Sequence, residues 1–136
     1  MRTYAMIVVI AAAGAVMPAY AASDPAHRYS REFRSCMSAA TAAGNTDHDN
    51  TACNYAEIQR QDDRLNQAYK MIMLRLNPAK KSVLRESERK WIVSKKEGCR
   101  RDRGDDVGGT LDEVIISDCV LRQTIERIIY LENYHP

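Results

Sequence analysis

Four cysteines, Cys36, Cys53, Cys99 and Cys119, constrain this chain more than any other feature, because they follow an export signal. The chain opens on Met1-Arg2-Thr3, continues with a 12-residue apolar run from Ala5 to Val16, and reaches the small-x-small site Ala19-Tyr20-Ala21. That order is the tripartite secretory leader. The run is short of the roughly 20 apolar residues that span a bilayer, so residues 1–21 read as a removed leader. Residues 22–136 read as one soluble domain, periplasmic or secreted, with no stable membrane insertion after cleavage.

An even cysteine count outside the cytoplasm reads as a disulfide framework. The spacings of 17, 46 and 20 contain no Cys-x-x-Cys unit, which leaves zinc and thioredoxin-type readings without support. Covalent staples suit a domain of this size, since small domains bury a smaller share of their surface. Loss of the leader removes Arg2, so 20 basic residues become 19 against 18 acidic ones. A near-neutral exported chain is a poor candidate for nucleic acid.

Gly44–Asn50, Asn77-Pro78 and Gly104–Gly109 are the polar or turn-forming joints. The intervals carry helical rather than strand periodicity, which predicts an all-α fold, a small disulfide-stapled antiparallel four-helix bundle. The first helix covers about Pro25 to Ala43. The second covers about Thr51 to Leu76, capped by Asn50 or Thr51, with Ile58, Asp62, Leu65, Tyr69, Ile72 and Leu76 on one stripe. The third starts at Pro78, carries Leu84, Ser87, Trp91 and Ile92, and ends near Arg103. The fourth runs from Thr110 and carries Val114, Ile116, Val120, Thr124, Ile128 and Leu131.

In an antiparallel hairpin, residues equidistant from the turn face each other. Cys36 and Cys53 are centred on Gly44-Asn45, and Cys99 and Cys119 on Gly109, so these two pairings are preferred. Cys53 and Cys99 are also symmetric about Leu76, which keeps Cys53–Cys99 with Cys36–Cys119 as the alternative. In the same topology the joints around Gly44–Asn50 and Gly104–Gly109 share one end of the bundle. Asp47, Asp49, Asp105 and Asp106 lie there as candidate partner-binding residues on a rigid support.

Asp62 falls on an apolar stripe and needs a partner there. Arg89 and Arg127 are the candidates, and together the three read as a structural polar core rather than a catalytic set. Asp47-His48-Asp49 lacks the glycine and terminal glutamate of a calcium loop, and His27 and His135 lie near the ends of the mature chain, so no metal site is read. Trp91 reads as core. Ten Lys/Arg against four acids between Lys80 and Arg103 read as a solvated basic face. Gly108-Gly109 sets the turn into the fourth helix. Neither a cofactor motif nor a paired nucleophile and base is legible.

The ordered set Cys53, Asp62-x-x-Leu65-Asn66-x-x-Tyr69, Leu84-Arg85, Arg89-x-Trp91-Ile92, Cys99, Gly108-Gly109-Thr110, Cys119 and Thr124-x-x-Arg127, ending at Leu131, resembles the LprI-type lysozyme inhibitor domain of exported bacterial proteins. The likeness runs from about Cys36 to Leu131. The chain departs from that pattern at Ser94-Lys95-Lys96, where an aromatic residue and Arg-Asp are common, and at Glu88, where glutamine is usual. The resemblance implies a non-enzymatic protein that inhibits lysozyme or another peptidoglycan hydrolase by occluding its cleft. An envelope interaction or adaptor protein is the alternative, supported by the basic third helix.

Overall fold

The computed structural model describes residues 24–102 and 108–135. The leader, and with it the 1–21 boundary, lies outside these residues, as do Asp105 and Asp106.

A 3-10 turn at Pro25–Arg28 is followed by four helices: α1 Arg31–Ala42, α2 Asp47–Arg75, α3 Pro78–Asp102 and α4 Thr110–Glu132. No strand occurs among the described residues. The expected first helix is split. Tyr29 and Ser30 are extended, and the Ser30 hydroxyl accepts from the Phe33 N–H. Serine at this position satisfies an otherwise orphan amide, and so starts a new helix instead of continuing the old one. The second helix begins four residues before the predicted Thr51, and its cap is neither Asn50 nor Thr51. Thr46 caps it: the threonine oxygen accepts from the Asp49 N–H at 3.2 Å, and its hydroxyl donates to the Asp49 carboxylate at 2.6 Å. Thr46 and Asp49 thus bond reciprocally in a variant of the capping box, through the threonine hydroxyl, with acidic groups in the first turn of the helix.

Between α1 and α2 the chain closes in a Schellman motif. The Gly44 N–H donates to the Thr41 carbonyl at 3.3 Å, and the Asn45 N–H to the Ala40 carbonyl at 2.8 Å. Gly44 sits at φ +109°, a backbone region glycine enters without a Cβ penalty. At the opposite end, the Asn77 side chain accepts from the Lys80 N–H at 2.9 Å, and Pro78 occupies the first helical position, where its missing N–H costs nothing.

Chain neighbours run antiparallel. Ser30 meets Glu57 and Cys36 meets Cys53 across α1 and α2. Cys99 meets Cys119, Lys95 approaches Thr124 and Glu88 meets Arg127 across α3 and α4. Helices α2 and α4 are parallel and in register. Thr110 bonds Asp47 at 2.8 Å and Asn54 bonds Ser117 at 3.0 Å, both at a sequence separation of 63. The steps from 47 to 54 and from 110 to 117 are each one heptad, the spacing that keeps one seam facing a parallel partner.

The α2–α4 seam is the main interface of the domain, and α3 packs on α4 rather than along α2. Helix α4 is therefore central: Leu121, Thr124 and Ile125 are fully buried. Two clusters fill the interior. Phe33, Ala40, Cys53, Ile58, Leu121 and Ile125 form the one nearer the disulfides. Leu65, Leu76, Leu84, Ile128 and Leu131 form the other, with Trp91 packed against it.

Because α2 and α3 share no extended interface, an open groove of about 370 Å³ separates them. Tyr69 and Asn66 stand on one wall, and Arg89, Trp91 and Ile92 on the other. Ile92 is 53% exposed.

Candidate functional site

The two disulfides are Cys36–Cys53, with Cα atoms 5.8 Å apart, and Cys99–Cys119, with Cα atoms 5.4 Å apart. Each ties a hairpin close to its joint. The Thr110 hydroxyl then donates to the Asp47 carboxylate at 2.8 Å, so the start of α4 is bonded to the start of α2. The starts of α2 and α4 thus meet at one stapled end.

Asp47 and Asp49 are not loop residues, as the sequence reading had them. They occupy the first turn of α2, because the capping box begins the helix at Asp47. Asp112 and Glu113 occupy the first turn of α4, and sequence reasoning missed them. Acidic residues directly after a Gly-Gly-Thr joint were the available signal, since carboxylates are favoured at helix N-termini. The parallel register sets the two first turns side by side. Asp49 is held by Thr46, Asp47 by Thr110, and Asp112 accepts from the Gly108 N–H at 2.8 Å. These carboxylates are therefore fixed in place as hydrogen-bond acceptors.

A shallow hollow of about 300 Å³ opens beside Asp49 between α1 and α2. Its walls are the small side chains Ala39, Ala43 and Ala52 and the Cys36–Cys53 bridge. An acidic rim thus borders a hollow lined by small side chains at this end.

The proposed polar core is assembled differently from the expectation. Arg127 pairs with Glu88, not Asp62. Its guanidinium lies 2.7 Å from the Glu88 carboxylate and donates to the Ser87 hydroxyl, also at 2.7 Å. Both charged side chains are about nine-tenths buried, at 10% and 11% exposure. The antiparallel α3–α4 register decides this, because it sets position 88 opposite position 127. Arg89, one residue on, is largely exposed and among the described residues pairs with Glu86, at 3.8 Å. Asp62 is half-buried and makes no ion pair or hydrogen bond among the described residues.

Trp91, half-buried, has two cations near its ring. The Lys95 ammonium stands 4.4 Å and the Arg127 guanidinium 5.7 Å from its ring, while Arg127 also lies 4.2 Å from the Tyr130 ring. Such contacts strengthen as they are desolvated. The ladder explains why the one tryptophan sits on a thinly buried helix: it clamps α3 to α4.

Burial pushes the Lys95 ammonium below the usual lysine range, and the Asp62 carboxylate opposes that shift. Between the lowered value and the ordinary one of about 10.4, the unfolded chain holds a proton that the folded chain has released. Stability therefore rises with pH across that window. Replacing Lys95 by Met is expected to abolish this rise, read as the difference between the two proteins in urea denaturation from pH 8 upward. Identical slopes would show that the Lys95 environment has no net effect on folding.

Among the described residues Glu57 is the most deeply buried charge, and sequence reasoning missed it. It is 0% exposed. One carboxylate oxygen accepts from the Ser30 N–H at 2.8 Å and the Gln61 amide at 2.7 Å; the other accepts from the Ser30 hydroxyl and from Arg60 at 3.1 Å. With Asn54 and Gln61 it forms a buried polar ridge at helical steps of three and four, which hydropathy patterning does not reveal.

Among the described residues no group of three or more His, Cys, Asp or Glu side chains is placed to hold a metal ion, and no helix is long and apolar enough to cross a membrane. No curated protein and no solved structure matches the chain. A family model described as Lysozyme inhibitor LprI matches residues 36–131. That span begins at the first bridging cysteine, holds both disulfides, and ends at Leu131 in the second core cluster. Apart from Phe33, the covalent frame and both core clusters thus fall within the matched region, and this chain belongs to the LprI lysozyme inhibitor family.

Proposed function

We propose that this protein acts outside the cytoplasm, after loss of residues 1–21, as a non-enzymatic inhibitor that occludes the cleft of a lysozyme or a related peptidoglycan hydrolase. The observation that carries the reading is the stapled acidic end. Asp47 and Asp49 on α2 and Asp112 and Glu113 on α4 are held on two parallel helix starts. An enzyme that works on anionic wall polymers gains from a cationic surface around its cleft. A fixed acidic end complements such a surface, and steers association more than it adds affinity. The hollow lined by Ala39, Ala43 and Ala52 then takes a side chain from the rim of the cleft.

The purified, oxidised protein is expected to slow lysis of cell-wall substrate. Its association rate with the hydrolase should fall as salt is raised. Replacing both Asp47 and Glu113 by Lys should weaken inhibition at least tenfold, with the helical circular dichroism unchanged. Full lytic activity at a large molar excess of inhibitor would reject lysozyme as the target. Unchanged inhibition by the double variant would move the binding surface elsewhere.

The adaptor alternative is favoured by α3, of whose 25 residues only Leu84, Glu88 and Cys99 are buried. Recovery of a structural envelope protein instead of a hydrolase, by cross-linking from the outer face of that helix, would support it.

A further inference from the structure

The far end of the bundle, away from both disulfides, holds a pocket of about 480 Å³ between the C-terminal half of α2 and the end of α4. Three guanidinium groups, those of Arg28, Arg64 and Arg75, line it against one carboxylate, that of Glu132. Arg28 is the arginine that Glu132 neutralises. Arg64 spends one N–H on the Arg28 carbonyl at 3.2 Å and forms no ion pair among the described residues, and neither does Arg75. The pocket thus has uncompensated positive charge of the kind that grips carboxylate or phosphate oxygens in pairs.

The lining between the charges is different in character. Ala68, Ile72 and Leu131 belong to, or pack against, the second core cluster and supply an aliphatic floor. Met71, an exposed and adaptable side chain, stands at the wall. The volume falls within the roughly 300–1,000 Å³ of small-molecule sites. A free inorganic anion would leave the floor uncovered, and a neutral apolar molecule would leave the arginines unpaired.

We infer that this pocket binds a small amphiphilic anion, a single-chain molecule with a carboxylate or phosphate head held by Arg64 and Arg75 and an aliphatic body lying on Ala68, Ile72 and Leu131. The site is independent of hydrolase binding, which the preceding reading assigns to the opposite end.

Calorimetric titration of the oxidised full domain tests it, using dodecyl phosphate below its micellar concentration, inorganic phosphate, and neutral dodecyl maltoside. Dodecyl phosphate is expected to bind at one site, at least tenfold more tightly than either other probe. The double variant R64A/R75A should weaken it at least tenfold. So should M71E, which places a negative charge at the wall from an exposed position and leaves the fold intact. R85A/R89A, which removes two arginines outside the pocket, should change affinity less than twofold. Equal binding of dodecyl maltoside, equal binding of inorganic phosphate, or affinity for dodecyl phosphate retained in both R64A/R75A and M71E would each overturn the proposal.

Discussion

Reducing both disulfides is expected to unfold this protein at physiological temperature. Each bridge closes a short loop, of sequence separation 17 for Cys36–Cys53 and 20 for Cys99–Cys119. Loops of that length correspond to about 3 kcal/mol of stabilisation each. Two such losses amount to a large share of the roughly 5–15 kcal/mol that holds a typical domain folded. The two bridges are not equivalent. Helix α1 keeps other anchors when its bridge opens, namely Phe33 in the first core cluster and the Ser30–Glu57 bonds. The last turns of α3 keep almost none, because beyond Glu88 the buried residue of that helix is Cys99 itself. Replacing Cys99 and Cys119 together by Ser should therefore lower Tm by roughly 10–20 °C and release the segment after Lys95. The Cys36/Cys53 double variant should lose less. Circular dichroism melts of the oxidised, reduced and variant proteins read this directly. A reduced protein melting within a few degrees of the oxidised one would show that side-chain packing alone carries the fold.

The second large effect is expected at Glu57. Truncation to Ala removes an acceptor with no solvent access and strands three buried donors from Ser30 and Gln61 around the gap, while Arg60, 40% exposed, turns to solvent. Each buried donor left unsatisfied costs about 1–3 kcal/mol, so the loss should reach about 3–5 kcal/mol. Glu57→Gln keeps the shape and one acceptor oxygen, and should cost only about 1–2 kcal/mol. Fraying should begin in the segment before Cys36, because Glu57 holds Ser30, and Ser30 holds the Phe33 amide that starts α1. Urea denaturation gives the magnitude, and amide exchange at Ser30 and Phe33 gives the location. Equal stability of the Ala and Gln variants would mean that the carboxylate contributes nothing beyond volume.

Both effects involve groups whose importance is visible at different levels. The cysteines announce themselves by count, compartment and spacing. Glu57 does not: in sequence it is one of 18 acidic residues, and it lies off the apolar stripe that Ile58 and Leu65 mark. Its burial follows from the way the 3-10 turn at Pro25–Arg28 folds over α2, a tertiary event. Arg127 shows the same division. Its position on the inner face of α4 follows from the periodicity that carries Thr124 and Ile128 inward. Its partner does not, since choosing Glu88 over Asp62 depends on which neighbour helix lies against α4 and at what register.

The acidic end divides likewise. Asp47 and Asp49 were legible as a charged joint, but the capping box moves them into a helix. Asp112 and Glu113 join them only because α2 and α4 run parallel.

By itself the sequence determined that four helices form and roughly where they are joined, the all-α class and the family, and narrowed the disulfides to two connectivities. These depend on local chemistry: periodicity, caps, glycine and proline at turns, and distance along the chain. The tertiary structure alone decided that α4 is the central helix, that α2 and α3 splay apart to leave a groove, and which charges meet inside. Those outcomes rest on helix register, where a shift of one residue turns a side chain by about 100° around the axis, and no local pattern records it.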